Sequence, residues 1–484
     1  MRPTKFVLIL LPLLVGGAAA QTPACEATSL SAASYSSTAL APESIVSAFG
    51  QGLATATEGA ATTPLPTKLA GAVLKVKDSK GIERDAPLFY VSPLQINFLI
   101  PAGTATGSAS IAILRSDGST SCTGRLQLDS VAPGLFSANA NGRGVAAAQV
   151  VRVKADGTQS VEQVARLDAA LGRNVSVPID PGPESDQLVL VLYGTGIRGG
   201  GGAKAASARM GGKDLEVLFA GPQGDFVGLD QVNLRLPRSV AGYGETSILL
   251  SVAGKPVNLV SVNLGGAPVA PTVERYLALA SGVRWDYQVQ FPESTRLPYA
   301  PGFEEPAGLI CASVLCGMGS WTAGRVDFQA SVQDKLPAGD AVWRATLNAS
   351  ALRFFFYLAN PVSTQNNDPV EFEIRVKPSG GKQWLDVVAI IPLGTPRWRL
   401  VKGLAGLASS DLTEKQSVTV AAGEFQNVVK TTVTLRGDGQ YTASGNWPTD
   451  VYLAPDVGIV KQVGKDPSGK TLYTIELTKF SITN

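Results

Sequence analysis

The chain has 484 residues, 45% of them hydrophobic and 17% charged, with 52 glycines and 31 prolines. That composition suits packed cores, many tight turns and roughly three domains. The 41 basic and 39 acidic residues leave a net charge of +2, so no basic field for nucleic acid or an anionic membrane arises from the balance. Histidine is absent. A Ser-His-Asp triad, a Cys-His dyad and a His-ligated zinc site are therefore excluded.

Residues 1–20 read as a signal peptide. Arg2 and Lys5 make a positive start, Phe6 to Val15 an apolar core, and Ala18 to Ala20 a small-residue cleavage site. The apolar run is too short for a membrane span and no later run is long enough. Cys25 follows Thr-Pro-Ala, a poor lipoprotein signal. The expectation is a secreted, periplasmic or cell-surface protein with no transmembrane span. The four cysteines are Cys25, Cys122, Cys311 and Cys316, an even count that favours disulfides after export. Of the three pairings, the expected one joins Cys25 to Cys122 and closes a small loop between Cys311 and Cys316.

From residue 21 to 130 the β signals are dense. "SIVSAFGQGLA" (Ser44–Ala54) is a strand running into glycine turns. "APLFYVSPLQINFLIP" (Ala86–Pro101) has an aromatic strand, a proline turn and then Gln95-x-Asn97 in an alternating run. Ile96, Phe98 and Ile100 take one face and Gln95 and Asn97 the other, the period of a half-buried strand. A Gly-bearing turn and another strand follow (Ala102–Leu114). The same order returns in residues 131–270. "DQLVLVLYGTGIRGGGG" (Asp186–Gly202) mirrors the first strand, and "LEVLFAGPQGDFVGLDQVNLRLP" (Leu215–Pro237) carries Gln231-x-Asn233 in the same phase. "AGYGETSILLSVAG" (Ala241–Gly254) then matches the strand after the turn. Three signals in one order make an internal repeat, each copy the size of a small immunoglobulin-like sandwich. Gly265–Tyr276 reads as a Gly/Pro-rich linker.

Residues 271–484 form a β-rich C-terminal domain that holds all 6 tryptophans. Its strand candidates include Arg325–Val332, Leu352–Ala359, Val370–Lys377, Trp384–Leu393, Asn427–Gly437 and Thr471–Phe480. Residues 320–398 form an insertion or a separate, jelly-roll-like sheet in this reading. Amphipathic helices are scarce throughout. The fold class is all-β: two tandem immunoglobulin-like β-sandwich modules followed by a larger antiparallel β-rich domain.

"SLSAASYSSTALAPESIVSAFGQGLA", "PLFYVSPLQINFLIP", "VAPGLFSANANGRGVAAAQVV", "LVLYGTGIRG" and "GLDQVNLRLP" occur in this order. Together they resemble the uncharacterised domain named for its abundance in Solibacter and relatives, over roughly Ser29 to Leu264. The resemblance implies secretion and a β-sandwich architecture, and no catalytic residue carries over from it. That domain is often C-terminal in its family, whereas here another module follows. The last segment loosely resembles small exported β-rich domains of unknown function, through "YLALASGVRWDYQV", "VAAGEFQNVVKTTVTL" and "YLAPDVGIVKQV".

Candidate chemistry is thin. Gly194-x-Gly196 with Gly199 to Gly202 lacks the helix that a phosphate loop needs, and reads as a surface loop. Ser379 and Lys382 have a Ser-x-x-Lys spacing but sit in a "KPSGGKQW" hairpin turn. Glu304 with Glu305, Asp225 with Asp230, and Asp368 with Glu371 are the nearest carboxylate pairs for glycoside hydrolysis, and no spacing brings them together. Asp225 and Asp230 also offer oxygens for calcium, without an acidic loop pattern to support it. Trp321, Trp343, Trp384 and Trp398 are the candidate ligand aromatics, alongside Phe354 and Phe356, though aromatics on both faces of one strand favour a buried core. The amides Gln95, Asn97, Gln231 and Asn233 read either as a repeated ligand stripe or, preferably, as staples to the backbone of the preceding proline turn. No catalytic, cofactor or metal residue emerges, and no cofactor is implied. The leading expectation is a non-enzymatic adhesion, envelope or glycan-binding protein whose partner is a cell-wall or extracellular glycan or another envelope protein. A carboxylate-dependent polysaccharide hydrolase and a structural spacer are the alternatives.

Overall fold

In the computed structural model, the described residues are 25–269, 273–277, 283–290, 325–335, 342–347, 370–379, 381–390, 399–437, 445–466 and 468–482. Alternation builds the first sandwich. In the strand Gln95–Leu99, Ile96 and Phe98 are fully buried while Gln95 and Asn97 lie half-buried on the other face. Its sheet runs Thr28–Ser31, Ile45–Phe49, Gln95–Leu99, Leu88–Val91, Glu58–Gly59. The facing sheet runs Cys25–Glu26, Thr120–Leu128, Gly107–Leu114, Ala72–Lys77, Lys68–Leu69, with Glu83–Asp85 beside Ala72–Lys77. Val46, Ala48, Leu74, Val76, Ile96, Phe98, Ile111 and Ile113 fill the space between them.

The second sandwich repeats the order of the central strands and differs at the edges. One sheet runs Gln159–Gln163, Ala148–Val153, Gln187–Thr195, Asp230–Leu236, Val217–Pro222, with Gly134–Leu135 added beside Gln187–Thr195. The other runs Pro178–Ile179, Val260–Leu264, Gly244–Val252, Ala206–Met210, Lys213–Leu215, with Lys255–Pro256 beside Gly244–Val252. Leu190, Leu192, Val232, Leu234, Met210, Ile248 and Val262 form its core. The correspondence extends to register. Asn97 stands between Ser47 and Tyr90, and Asn233 between Val191 and Phe219. A bulge falls between Leu88 and Tyr90 in the first copy and between Val217 and Phe219 in the second. Each copy also has a two-residue strand parallel to its last strand: Cys25–Glu26 against Thr120–Leu128, and Pro178–Ile179 against Val260–Leu264.

The expected Cys25–Cys122 disulfide is formed, with the Cα atoms 4.6 Å apart across a sequence separation of 97. Cys311 and Cys316 lie outside the described residues. The C-terminal region contributes an 11-stranded sheet in which every described strand pair is antiparallel. Its order bears on the reading of residues 320–398 as an insertion or a separate sheet. Arg325–Lys335, Val342–Leu347, Val370–Ser379 and Lys382–Ile390 extend the sheet that holds Val283–Gln290 and Thr471–Ile482, and form no separate sheet. Hairpin pairing of sequential strands, from Val283–Gln290 onward, adds each to its predecessor's open edge. The expected strand Leu352–Ala359 lies outside the described residues. One short helix, Val273–Leu277, packs Tyr276 into this region, where its hydroxyl donates to the Asn427 carbonyl at 2.9 Å. Trp285 and Tyr287 are buried and donate to the carbonyls of Val457 and Ile459.

Candidate ligand surface

The outward faces of the two Gln-x-Asn sheets carry the same constellation. In the first copy Phe49 is in register with Gln95, and Tyr90 with Asn97. In the second, Tyr193 is in register with Gln231, and Phe219 with Asn233. Each set is therefore aromatic, amide, amide, aromatic, with the phenylalanine and tyrosine exchanged. These side chains are half-buried, except Phe219, which is 39% exposed. Gly221 makes room for it: a Cβ there would lie 3.2 Å from the ring's Cζ, so the ring lies against the sheet. Gln149, one strand further, accepts the Tyr193 hydroxyl at 3.2 Å.

The amides bond one another. Gln95 Nε2 donates to Asn97 Oδ1 at 2.8 Å, and Gln231 Nε2 to Asn233 Oδ1 at 2.7 Å. Asn97 Oδ1 also accepts the buried Ser47 hydroxyl at 2.9 Å. This corrects the expectation that they staple the proline turns. Ser92 does that in the first copy, where its Oγ accepts the N–H groups of Leu94 and Gln95. In the second, Gln223 Oε1 accepts those of Asp225 and Phe226. The reason is alternation: outward residues two apart on a strand stand side by side, so the nearest partner for each amide is the other. The four aromatics escaped the sequence reading. Their signal was present, as "AFGQG" against "LYGTG" and "FYVSP" against "LFAGP", but which strand lies beside which decides that they flank the amides.

The other candidates disperse. Asp230 is fully buried, and Arg198 occupies it: Nε donates to Oδ1 at 2.8 Å, while Oδ2 takes the N–H groups of Ile197 and Arg198. Asp225 instead accepts the Gln223 side-chain amide on an exposed turn, so the calcium pairing does not form. Among the described residues no cluster of metal-ligating side chains occurs. Gly194 and Gly196 are close-approach glycines, where a Cβ would fall 2.4 Å from the Gly134 carbonyl and 2.2 Å from the Ala132 carbonyl. Arg198–Gly200 and Ala203–Ala205 are single 3₁₀ turns, which leaves no phosphate-binding helix. Ser379 pairs with Lys382 across a hairpin. Glu371 stands opposite Thr346, Trp343 opposite Ile374, and Trp384 opposite Lys377 and Gly406. Trp321, Trp398, Phe354, Phe356, Glu304, Glu305 and Asp368 lie outside the described residues.

Two further buried carboxylates are held ionised by their neighbours. Burial alone would raise the Asp78 carboxyl, but the N–H groups of Ala105, Ile82 and Lys80 and the Arg84 guanidinium outweigh it and hold it at about 2. Burial likewise opposes ionisation of Asp450, yet Lys465, Lys430 and the Thr432 hydroxyl bring it down to about 2. Burial raises the Tyr287 phenol far above its ordinary range.

No protein-family model matches this sequence, and no curated protein matches it either. Among solved structures, it is similar to an exported Bacteroides fragilis protein with a YmcC-like fold (10% identity, TM-score 0.22, 42% of this chain and 96% of that one). A Parabacteroides distasonis protein described as a lipoprotein gives 11% identity and a TM-score of 0.21, with 42% of this chain and 96% of that one covered. SGBP-B of the Bacteroides ovatus mixed-linkage glucan utilization locus, solved with a mixed-linkage heptasaccharide, gives 10% identity and a TM-score of 0.21, over 60% of this chain and 65% of that one. Likeness at this level carries no functional argument. No helix among the described residues is long and apolar enough to cross a membrane.

Proposed function

We propose that this is an exported, non-enzymatic, glycan-binding protein of the cell envelope or extracellular space, and that the outward stripe of the second sandwich is its main ligand surface. The carrying observation is the uncharged set Tyr193, Phe219, Gln231, Asn233 and Gln149 on one open sheet face. An aromatic ring presents an apolar face suited to the C–H side of a sugar ring. A side-chain amide both donates and accepts, which matches hydroxyl groups. The nearest charge on that face, Arg235, is engaged by Glu216 and Gln187 at 2.6 and 2.8 Å. A neutral glycan therefore fits better than an acidic one. Immunoglobulin-like modules, a cleaved leader over residues 1–20 and membership of residues 29–264 in the Solibacter-type family belong to the same reading.

Electrophoresis of the mature protein through gels carrying neutral polysaccharides tests it. Parent protein should be retarded by at least one polymer, and Phe219→Ala or Gln231→Ala should lose most of that retardation at an unchanged urea midpoint. Equal retardation of variants and parent overturns the assignment of the surface. Release of new reducing ends from the polymer overturns the non-enzymatic part.

A further inference from the structure

The two stripes meet end to end. Along Gln95–Leu99 the outward positions run Gln95, Asn97, Leu99, with Ile45 in register beside Leu99. There the second sandwich arrives. A Cβ on Gly228 would fall 2.6 Å from the Leu99 side chain and 2.7 Å from that of Ile45. Gly228 also has a φ of 72°, so the contact requires glycine on two counts. Two residues on begins Asp230–Leu236, whose outward positions run Gln231, Asn233. On the neighbouring strand Thr195 follows Tyr193 on the same face. Its buried hydroxyl accepts the Ile45 N–H at 2.9 Å and donates to the Gly228 carbonyl at 2.8 Å.

This seam is braced. Arg198 holds Asp230 at 2.8 Å from the second sandwich and Glu43 at 3.4 Å from the first. Phe226, 67% exposed, stands on the same turn two residues before Gly228. At about 3.3 Å per residue, Gln95–Leu99 spans about 13 Å and Gly228–Asn233 about 17 Å, so the joined length is about 30 Å.

We propose that the two stripes form one binding track, and that its ligand is a single extended chain of a neutral polysaccharide lying across both sandwiches. The inference rests on the reading of the stripes as glycan surfaces. Its physical content is linkage: once one stripe is occupied, the second is engaged by the same molecule at high effective concentration. Short fragments gain nothing from this, and long chains do.

The test uses the full mature chain and calorimetric titration with a size ladder cut from whichever neutral polysaccharide retards it. Affinity should climb by at least about tenfold between fragments that fill one stripe and chains that reach both. Tyr90→Ala and Phe219→Ala should each erase that gain while the remaining stripe still binds short fragments, and Thr195→Val should reduce it with neither stripe touched. Urea unfolding of each variant separates lost folding from lost binding. Affinity independent of chain length, or two long chains bound per protein, overturns the track and leaves the stripe reading standing. No binding of any neutral polymer overturns both.

Discussion

In both sandwiches a two-residue strand runs parallel to the last strand of its sheet, yet the two are held by different chemistry. In the first, Cys25 is bonded to Cys122, its register partner. In the second, the residues after Pro178–Ile179 are gripped by Arg152, which is 7% exposed. Its Nη2 donates to the Asp180 carbonyl at 2.7 Å, Nη1 reaches Pro181, and the charge is met by Glu162 at 2.6 Å and Asp186 at 3.2 Å. Arg238 adds donations to the Gly182 and Pro181 carbonyls. A parallel pair this short cannot hold itself, because a few backbone hydrogen bonds do not offset the entropy of ordering the chain. A covalent link restricts the unfolded chain, whereas a buried guanidinium must find every partner in the folded one.

That contrast can be broken by substitution. Arg152→Ala leaves the Asp186 carboxylate, the partly buried Glu162 and the Asp180 carbonyl without the guanidinium, while Pro181 keeps Arg238, and should cost about 3–5 kcal/mol in urea unfolding. Hydrogen exchange should show protection lost first around Pro178–Ile179. An unchanged midpoint would show that the arginine is not the counterpart of the disulfide. Replacing Cys25 and Cys122 together by alanine should cost about 2–4 kcal/mol and free the Cys25–Glu26 strand. Loss of protection in the second sandwich instead would break the comparison from the other side.

The stripes sharpen it at a smaller scale. Asn97 accepts two side-chain donors, one from buried Ser47, while Asn233 accepts one and stands beside Val191. Asn97→Ala should therefore lower stability by about 1–2 kcal/mol and Asn233→Ala by less than about 1 kcal/mol, as read from melting curves. Equal losses would mean that the serine contributes nothing. The most local difference lies in the hairpins at the edge of the facing sheets. The first turns on Asp78, the second on Gly211 and Gly212 with positive φ. Because Asp78 is held at about 2, below its ordinary value, its contribution is complete above the unfolded pKa of about 3.9. It should fade as pH falls through about 2, since the unfolded state then takes up the proton more readily. Amide protection factors at Lys80, Ile82 and Ala105, taken relative to intrinsic exchange at each pH, should fall over that window, and Asp78→Asn should abolish that fall. Unchanged protection there at acid pH would remove Asp78 from this role.

Much of the architecture was legible in local pattern. Period-2 alternation in "LQINFLIP" and "DQVNLRLP" correctly placed the amides outward and the aliphatics inward, since strand geometry alone decides which face a residue takes. The Cys25–Cys122 pair was legible because only one cysteine lies near each end of the first module. The candidate surface was half legible. Gln95, Asn97, Gln231 and Asn233 stood out, whereas Phe49, Tyr90, Tyr193 and Phe219 did not. Tryptophans drew attention to the C-terminal domain, while the phenylalanines and tyrosines of the stripes are scattered through some 170 residues of chain.

The sequence by itself determined the all-β class and the phase of Gln95–Leu99 and Asp230–Leu236, because these follow from residues a few positions apart. Only the tertiary structure decided that Asn97 lies between Ser47 and Tyr90, that Arg198 consumes Asp230, and that Leu99 and Ile45 abut Gly228. Apart from Asn97 and Tyr90, which a single turn joins, those contacts link residues from 32 to about 180 positions apart, and no local period encodes them. Strand order and the docking of one sandwich on the next set them, and so convert two copies of a motif into one surface.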